Sequence, residues 1–240
     1  MNIVMPMAGR GSRFADIGIT TPKPLIDVLG RPMYAWAMES LPLELARRVI
    51  FICLEEHLRD QSLEADIRSR YGRLDPEIVR LDAVTEGQAC TVLMAHRWID
   101  NDEPLLIYNA DTYCRTRVAE RLPALPADVD GLVSVFHAPG DKWSFARADA
   151  SGRVLEMAEK TRISDWASTG LYYFRRGRDF VRNAEAMIAA NDRVGKEFYV
   201  APVYNRLIAA GGHVVIDPAE AVWVLGTPED LQHFQTHFVP

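Results

Sequence analysis

The sequence is poor in cysteine, with three in 240 residues, Cys53, Cys90 and Cys114. Their wide spacing excludes a zinc ribbon or a dithiol redox motif. It predicts free, buried thiols in a reducing cytoplasm. There is no basic surplus either. Lysine and arginine number 27 against 33 acids, a net charge of −6, with both signs interspersed. The broad basic face of a nucleic-acid binder is therefore missing. No apolar run approaches the ~18 residues of a membrane helix. No basic segment followed by an apolar core opens the chain, as a secretory leader would require. A cytoplasmic protein with neither membrane nor nucleic acid as partner is the expectation. Linkers rich in Pro, Gly or Ser, low-complexity tracts and fixed-period repeats are also absent. With 48% hydrophobic residues the chain has material for a sizeable core, and one domain over residues 1–240 is expected.

What is present is an alternation of short apolar runs and longer amphipathic segments. Strands are predicted at 2–7 (NIVMPM), 48–54 (RVIFICL), 77–81 (EIVRL) and 104–111 (PLLIYNAD). Helices are predicted at 33–41, 55–71 and 87–98, by their apolar spacing. This order predicts a Rossmann-like, doubly wound α/β fold: a mostly parallel sheet with helices on both faces. The second half is less regular. Strands are expected at 131–138 and 168–174, a hairpin over 143–160 around Ser151-Gly152, and late strands at HVVID and AVWVL. Helices are expected at 177–190, 200–210 and 228–238. Antiparallel strands inserted beside a parallel half follow from this pattern.

In parallel α/β sheets ligands bind at the carboxyl ends of strands, and the first such end is MAGRGSRF, residues 7–14. Gly9 and Gly11 let backbone N–H groups approach an anion. Arg10 and Arg13 add forked donors suited to phosphate oxygens. No Gly-Lys-Ser/Thr closes the loop, so it is not a P-loop, and the third glycine of Gly-x-Gly-x-x-Gly is missing. Taken alone, the loop also has a plainer reading, less favoured than anion binding, as a glycine turn between strand and helix with its arginines in solvent. TPKPLIDVLGRP follows at 21–32. Its two prolines fix φ around Lys23 and predict a stiff, extended backbone there, as a phosphate clamp needs.

AGRGSRF followed by TPKPLIDVLGRPM resembles the signature of the sugar-phosphate nucleotidyltransferases: Gly-x-Gly-x-Arg, then Pro-Lys-Pro-hydrophobic, then Gly-x-Pro-hydrophobic. Further matches run through the chain. The resemblance implies a GT-A-like nucleotidyltransferase fold. Its nucleotide-binding half is residues 1–115 and its acceptor-binding half residues 116–240. The implied reaction transfers NMP from an NTP to a sugar phosphate or similar phosphorylated acceptor, with release of pyrophosphate. Mg²⁺ is the implied cofactor. Met7, Ala8, Gly9, Gly11, Ser12, Arg13 and Lys23 would hold the nucleotide, with Arg13 and Lys23 catalytic. TEGQACTVLMA (85–95) resembles the segment that reads the base; Gly87 carries over, with Glu86 and Gln88 as flanking candidates and Asn109 nearby. LLIYNADTY (105–113) places Asp111 as metal ligand. EMAEKTRI supplies Glu159 and Lys160, ASTGLYYF supplies Gly170 and Tyr172, and GKEFYVAPVYNRLI supplies Glu197, all as acceptor contacts. WVLGTPEDL (223–231) matches a late Gly-Thr-Pro stretch. Many relatives carry a second metal-binding aspartate two residues before that glycine; here Val224 stands there. Asp217, Glu229 and Asp230 are the nearby acids.

Alternatives stay open at this point. A non-sugar phosphate such as phosphocholine is one acceptor, and Trp143, Trp166, Tyr172 and Tyr199 are candidates for the aromatic cage that choline wants. A GT-A glycosyltransferase would show Asp-x-Asp at the metal strand, whereas this chain reads Asp111-Thr112-Tyr113. A non-catalytic nucleotide-binding module would not need Arg13, Lys23 and Asp111 together. By analogy the short length fits members of capsule or cell-surface precursor pathways, and a homodimer is left open. His233 and His237 share helical spacing, but a zinc site wants three or four ligands, so an exposed terminal helix is expected.

Overall fold

The computed structural model describes residues 1–60 and 62–239. Strand β1 (Asn2–Met7) opens the chain, followed by α1 (Ser12–Ala15), the two-residue strands β2 (Asp27–Val28) and β3 (Arg31–Pro32), and α2 (Met33–Met38). Next come β4 (Arg48–Leu54), α3 (Glu55–Asp60), α4 (Leu63–Tyr71), β5 (Glu77–Leu81), α5 (Gln88–Leu93) and α6 (His96–Ile99). Then follow β6 (Leu105–Tyr108), β7 (Thr112–Arg115), α7 (Val118–Arg121), β8 (Gly131–His137), β9 (Ser144–Ala148), β10 (Val154–Glu159) and β11 (Trp166–Phe174). The chain closes with α8 (Gly177–Ala189), α9 (Val203–Ala209), β12 (Val214–Pro218), β13 (Ala221–Val224) and α10 (Pro228–His237).

The main sheet runs β5-β4-β1-β6-β11-β8-β12. β1 is parallel to β4 and β6, β4 to β5, and β8 to β12, while β11 runs against both its neighbours. The sheet is therefore mostly parallel, as expected. The hairpin β9–β10 attaches beside the first half of β11 through Ala167 and Phe145. From β1 the chain steps outward to β4 and β5, then returns to the other side of β1 to form β6. The strand order reverses between β1 and β6, and a ligand crevice opens at their carboxyl ends.

Side chains alternate across the strands with a period of two, so one run feeds two cores. Val4, Ile50, Ile52 and Ile107 face α5, α8 and α9 through Val92, Phe180 and Tyr204. Ile3, Met5, Val49, Phe51 and Leu106 face α2 and α4 through Tyr34, Met38 and Ile67. Burial of each such side chain contributes about 1.5–3 kcal/mol. A third cluster, Phe14, Trp36, Leu225, Leu231 and Phe234, clamps α10 against α1 and α2. Trp36 meets Phe234 edge-on at 5.1 Å and donates its indole N–H to the Val28 carbonyl at 2.7 Å. This cluster holds the late Gly-Thr-Pro turn next to the early glycine loop. Among the described residues no helix is long and apolar enough to cross a membrane.

Several expected elements are broken. The helix expected over 55–71 is two helices, α3 and α4; Gln61 lies outside the described residues, and Ser62 takes a left-handed φ of 59°. Serine competes poorly in helix interiors and well at their ends. The helix over 87–98 is α5 and α6, because Met94 and Ala95 tighten to bonds with Thr91 and Val92, three residues back, the usual way a helix ends. The strand over 104–111 stops at Tyr108, so Asn109 and Asp111 lie in the turn to β7 and not at the strand end.

Candidate active site

The glycine loop leaves β1 at Met7. Gly11 sits at φ 63°, and a β-carbon there would stand 2.9 Å from the Lys23 β-carbon. Glycine is thus required twice over, by its left-handed backbone and by the close approach of Lys23. Ser12 begins α1, and the buried Phe14 anchors that helix in the aromatic cluster. Arg10 and Arg13 are exposed beside the loop.

Lys23 is not extended as expected. It opens a single 3-10 turn, Lys23–Leu25, because Leu25 N–H reaches the Pro22 carbonyl at 2.8 Å. The stiffness survives, and its ammonium donates to Asp111 Oδ2 at 2.5 Å. The pair is mostly covered, with side chains 22% and 29% exposed. The Asp111 carbonyl accepts Leu225 N–H at 2.8 Å, which ties the β6–β7 turn to the end of β13. Val224 pairs with Thr112 and presents an apolar side chain to the same cleft.

On the opposite wall, Gly87 has φ 132°, and a β-carbon there would clash at 2.5 Å with the Phe198 backbone. The two segments are stitched by Phe198 N–H to the Glu86 carbonyl and Ala89 N–H to the Phe198 carbonyl, both at 2.9 Å. Gln88 donates to Asn109 Oδ1 at 2.5 Å. Asn109 in turn lies against Gly170, whose φ is 87° and where a β-carbon would stand 2.2 Å from the Asn109 amide. Glu86 itself points outward to Arg193 at 3.0 Å.

The far end is built on the hairpin and β11. Tyr172 donates to Ser144 Oγ at 3.2 Å, and Ser144 donates to Glu159. Glu159 is 8% exposed. Burial raises its pKa, opposed by the Ser144 hydrogen bond and the Lys160 charge. Burial, with the Glu159 charge, pushes Tyr172 up to about 12. Lys160 takes a left-handed φ of 54°, its ammonium donates to Tyr199 and lies 4.6 Å from that ring's centre, and Tyr199 donates to Glu197.

These walls enclose a cleft of about 640 Å³. Of the residues expected from sequence, Met7, Ala8, Gly9, Arg13, Lys23, Gly87, Asn109, Asp111, Glu159, Gly170, Tyr172 and Glu197 line it. Gly11 packs close to Lys23 and Ser12 starts α1, both next to the lining residues; Glu86 turns to Arg193, and Lys160 meets the cleft wall through Tyr199. Trp143 and Tyr199 join Tyr172 in the lining, whereas Trp166 packs on His137 at 4.1 Å. Sequence reasoning missed Ser144, Lys142 and Thr85, which also line the cleft. Ser144 faces Glu159 across the hairpin; counting seven residues out on each side of Ser151-Gly152 reaches the pair, but no motif marks a serine there. Asp217 is buried beside Arg121, and Glu229 is exposed. His233 and His237 stack at 4.3 Å; among the described residues no three His, Cys, Asp or Glu gather to hold a metal.

Comparison with known proteins agrees with this architecture. The chain is 26% identical over 247 residues to CMP-5'-(3-aminopropyl)phosphonate synthase of Streptomyces rubellomurinus, over 99% of this chain and 38% of that protein. It is 28% identical over 181 residues to the mannose-1-phosphate guanylyltransferase catalytic subunit beta of Danio rerio, over 72% of this chain and 49% of that protein. The chain thus spans less than half the length of either relative. The crystal structure of a nucleoside-diphosphate-sugar pyrophosphorylase from Vibrio cholerae superposes with a TM-score of 0.83 at 28% identity, over 98% of this chain and 100% of that one. The nucleotidyl transferase family model matches residues 2–230, and the chain belongs to that family.

Proposed function

We propose that the protein transfers NMP from an NTP to a phosphorylated small-molecule acceptor. A phosphate oxygen of the acceptor attacks the α-phosphorus, the bond to the β-phosphate oxygen breaks, and pyrophosphate leaves. One observation carries the reading: the glycine loop, the Lys23–Asp111 pair and the Glu159–Ser144–Tyr172 chain all face one cleft at the β1/β6 reversal. Two anions must meet there, so catalysis rests on positioning and charge stabilisation. In this reading Met7, Ala8, Gly9, Gly11, Ser12 and Arg13 hold the triphosphate. Lys23 neutralises charge between the α-phosphate and the leaving group. Glu86, Gly87 and Asn109 flank the base and ribose, Gly87 and Glu86 through backbone groups. Glu159, Gly170, Tyr172 and Glu197 hold the acceptor's body, and Lys160 its phosphate after leaving Tyr199.

Asp111 suits Mg²⁺. It is a hard oxygen donor open to the cleft, and the Lys23 ammonium already stands at it as a cation. When bound, Mg²⁺ would neutralise phosphate oxygens and take most of its remaining ligands from phosphate and water. The sugar phosphate is the first acceptor class, and the setting is cytoplasmic. Trp143, Tyr172 and Tyr199 in the lining keep a quaternary-ammonium phosphate as a second class, since aromatic faces attract such cations. A pyrophosphate-release screen tests this: CTP, UTP, dTTP and GTP against sugar 1-phosphates, polyol phosphates and phosphocholine. Release with one nucleotide and one acceptor class is expected; no release from any pair sinks the reading.

A further inference from the structure

The turn after β13 brings a second carboxylate to Asp111. A side chain at Gly226 would stand 3.4 Å from Asp111 Oδ2, 3.6 Å from Val224 Cγ1 and 3.9 Å from Asp230 Oδ2. Two carboxylates therefore overhang one bare point of backbone. They arrive from different elements, Asp111 from the β6–β7 turn and Asp230 from the first turn of α10, and both line the cleft. Each is met by an ammonium: Lys23 at Asp111, 2.5 Å, and Lys142 at Asp230, 3.7 Å. Like charges gathered on a partly buried wall repel unless opposite charge is supplied, and here lysines supply it.

Asp230 is not consumed by its helix. The capping bond of α10 runs from the Asp230 backbone N–H to Thr227 Oγ1 at 3.1 Å, which leaves the carboxylate to Lys142. Lys142 is loosely held, with its side chain 56% exposed on the loop between β8 and β9. Val224 is apolar and cannot coordinate. We propose that Asp230 supplies the second carboxylate facing the divalent cation that accompanies the NTP, and that it exchanges Lys142 for that cation on nucleotide binding. Gly226 keeps the space between the two acids open. The assignment rests on the nucleotidyl-transfer reading. Its consequence is a metal site completed by α10, on the acidic side of the Gly-Thr-Pro turn, and not by β13.

Mn²⁺ uptake tests it without turnover. The free-ion electron-spin signal is titrated against wild type, Asp230→Asn and Glu229→Gln, each with the α,β-methylene analogues of the four NTPs. Asp230→Asn should weaken Mn²⁺ binding to the nucleotide complex about tenfold or more, on the scale of losing a metal-site partner. Glu229→Gln, one residue away and exposed, should leave it unchanged. Melting temperatures of both variants should stay within about 2 °C of wild type. Equal Mn²⁺ affinity in wild type and Asp230→Asn overturns the assignment. No Mn²⁺ uptake by wild type with any analogue overturns the nucleotidyl-transfer reading, and this assignment with it.

Discussion

Lys23 offers the sharpest separation between chemistry and stability. Its ammonium sits 2.5 Å from Asp111 Oδ2, with the two side chains 22% and 29% exposed. Replacing it with alanine removes one preorganised positive group at the centre of the cleft. Loss of such a group costs about 10²-fold in kcat, or about 2.7 kcal/mol. The folded state loses far less. Asp111 keeps access to water, so the broken pair is worth at most about 1 kcal/mol once screening is counted. For a chain of this size that is a shift of about 2–4 °C in Tm. The 3-10 turn rests on Pro22 and Leu25 backbone atoms and should survive. Pyrophosphate release at saturating substrates, beside a thermal melt of the same sample, reads both quantities. A drop of about 10²-fold with a small Tm shift is expected. Turnover near wild type would refute the role of Lys23, and a collapse of Tm would make the pair structural.

Other consequences are equally concrete. Gly170→Ala should raise the nucleotide KM and lower Tm, because φ is 87° and the new methyl would stand 2.2 Å from the Asn109 amide; unchanged KM and Tm would show that Asn109 yields freely. Glu159 has a pKa raised by burial, so the folded state binds its proton more readily than the unfolded chain, and its contribution is lost as pH rises through the folded value. Glu159→Gln should therefore raise Tm at pH 7, with the gain shrinking as pH falls into the ordinary carboxylate range; a loss of Tm, or a pH-independent difference, contradicts this. Arg121→Ala strands the buried Asp217, whose Oδ2 finds no partner among the described residues. A cost of about 1–2 kcal/mol is expected, reduced from the fully buried case because the Arg121 side chain is half exposed; a urea midpoint that does not move would contradict it. Trp36→Ala should cost about 3–5 kcal/mol and loosen α10, read as faster amide exchange over 228–237.

Strands whose residues are apolar on both faces were legible because burial writes itself as an unbroken run: β1 and β4 coincide with the expected 2–7 and 48–54, and the shorter, only partly buried β5 with 77–81. The hairpin β9–β10 was legible from its Ser-Gly turn. Elements of four residues, such as α1, β7 and α7, span barely one helical turn or two strand alternations, too few repeats to leave a pattern. The cleft was legible where glycine, proline and charge coincide, as at Gly11 and Lys23. It was not legible where function depends on register across strands. Ser144 is an ordinary serine until it faces Glu159. Asp230 reads as a helix-start acid until its carboxylate is found with that of Asp111 around the bare backbone of Gly226. The reach of Lys160 was equally hidden, since its pairing with Tyr199 depends on a loop 39 residues further along the chain.

The central claim is transfer of the α-phosphorus, and labelled nucleotide measures it directly. Each of the four NTPs, labelled at the α-phosphate, is incubated with Mg²⁺ and the acceptor panel, and the products are separated. The account predicts label in an acceptor-linked nucleoside diphosphate, with one pyrophosphate released per transfer and none without acceptor. Intact NTP with every acceptor, or phosphate arriving on the acceptor from the γ position while label stays in NDP, would contradict it.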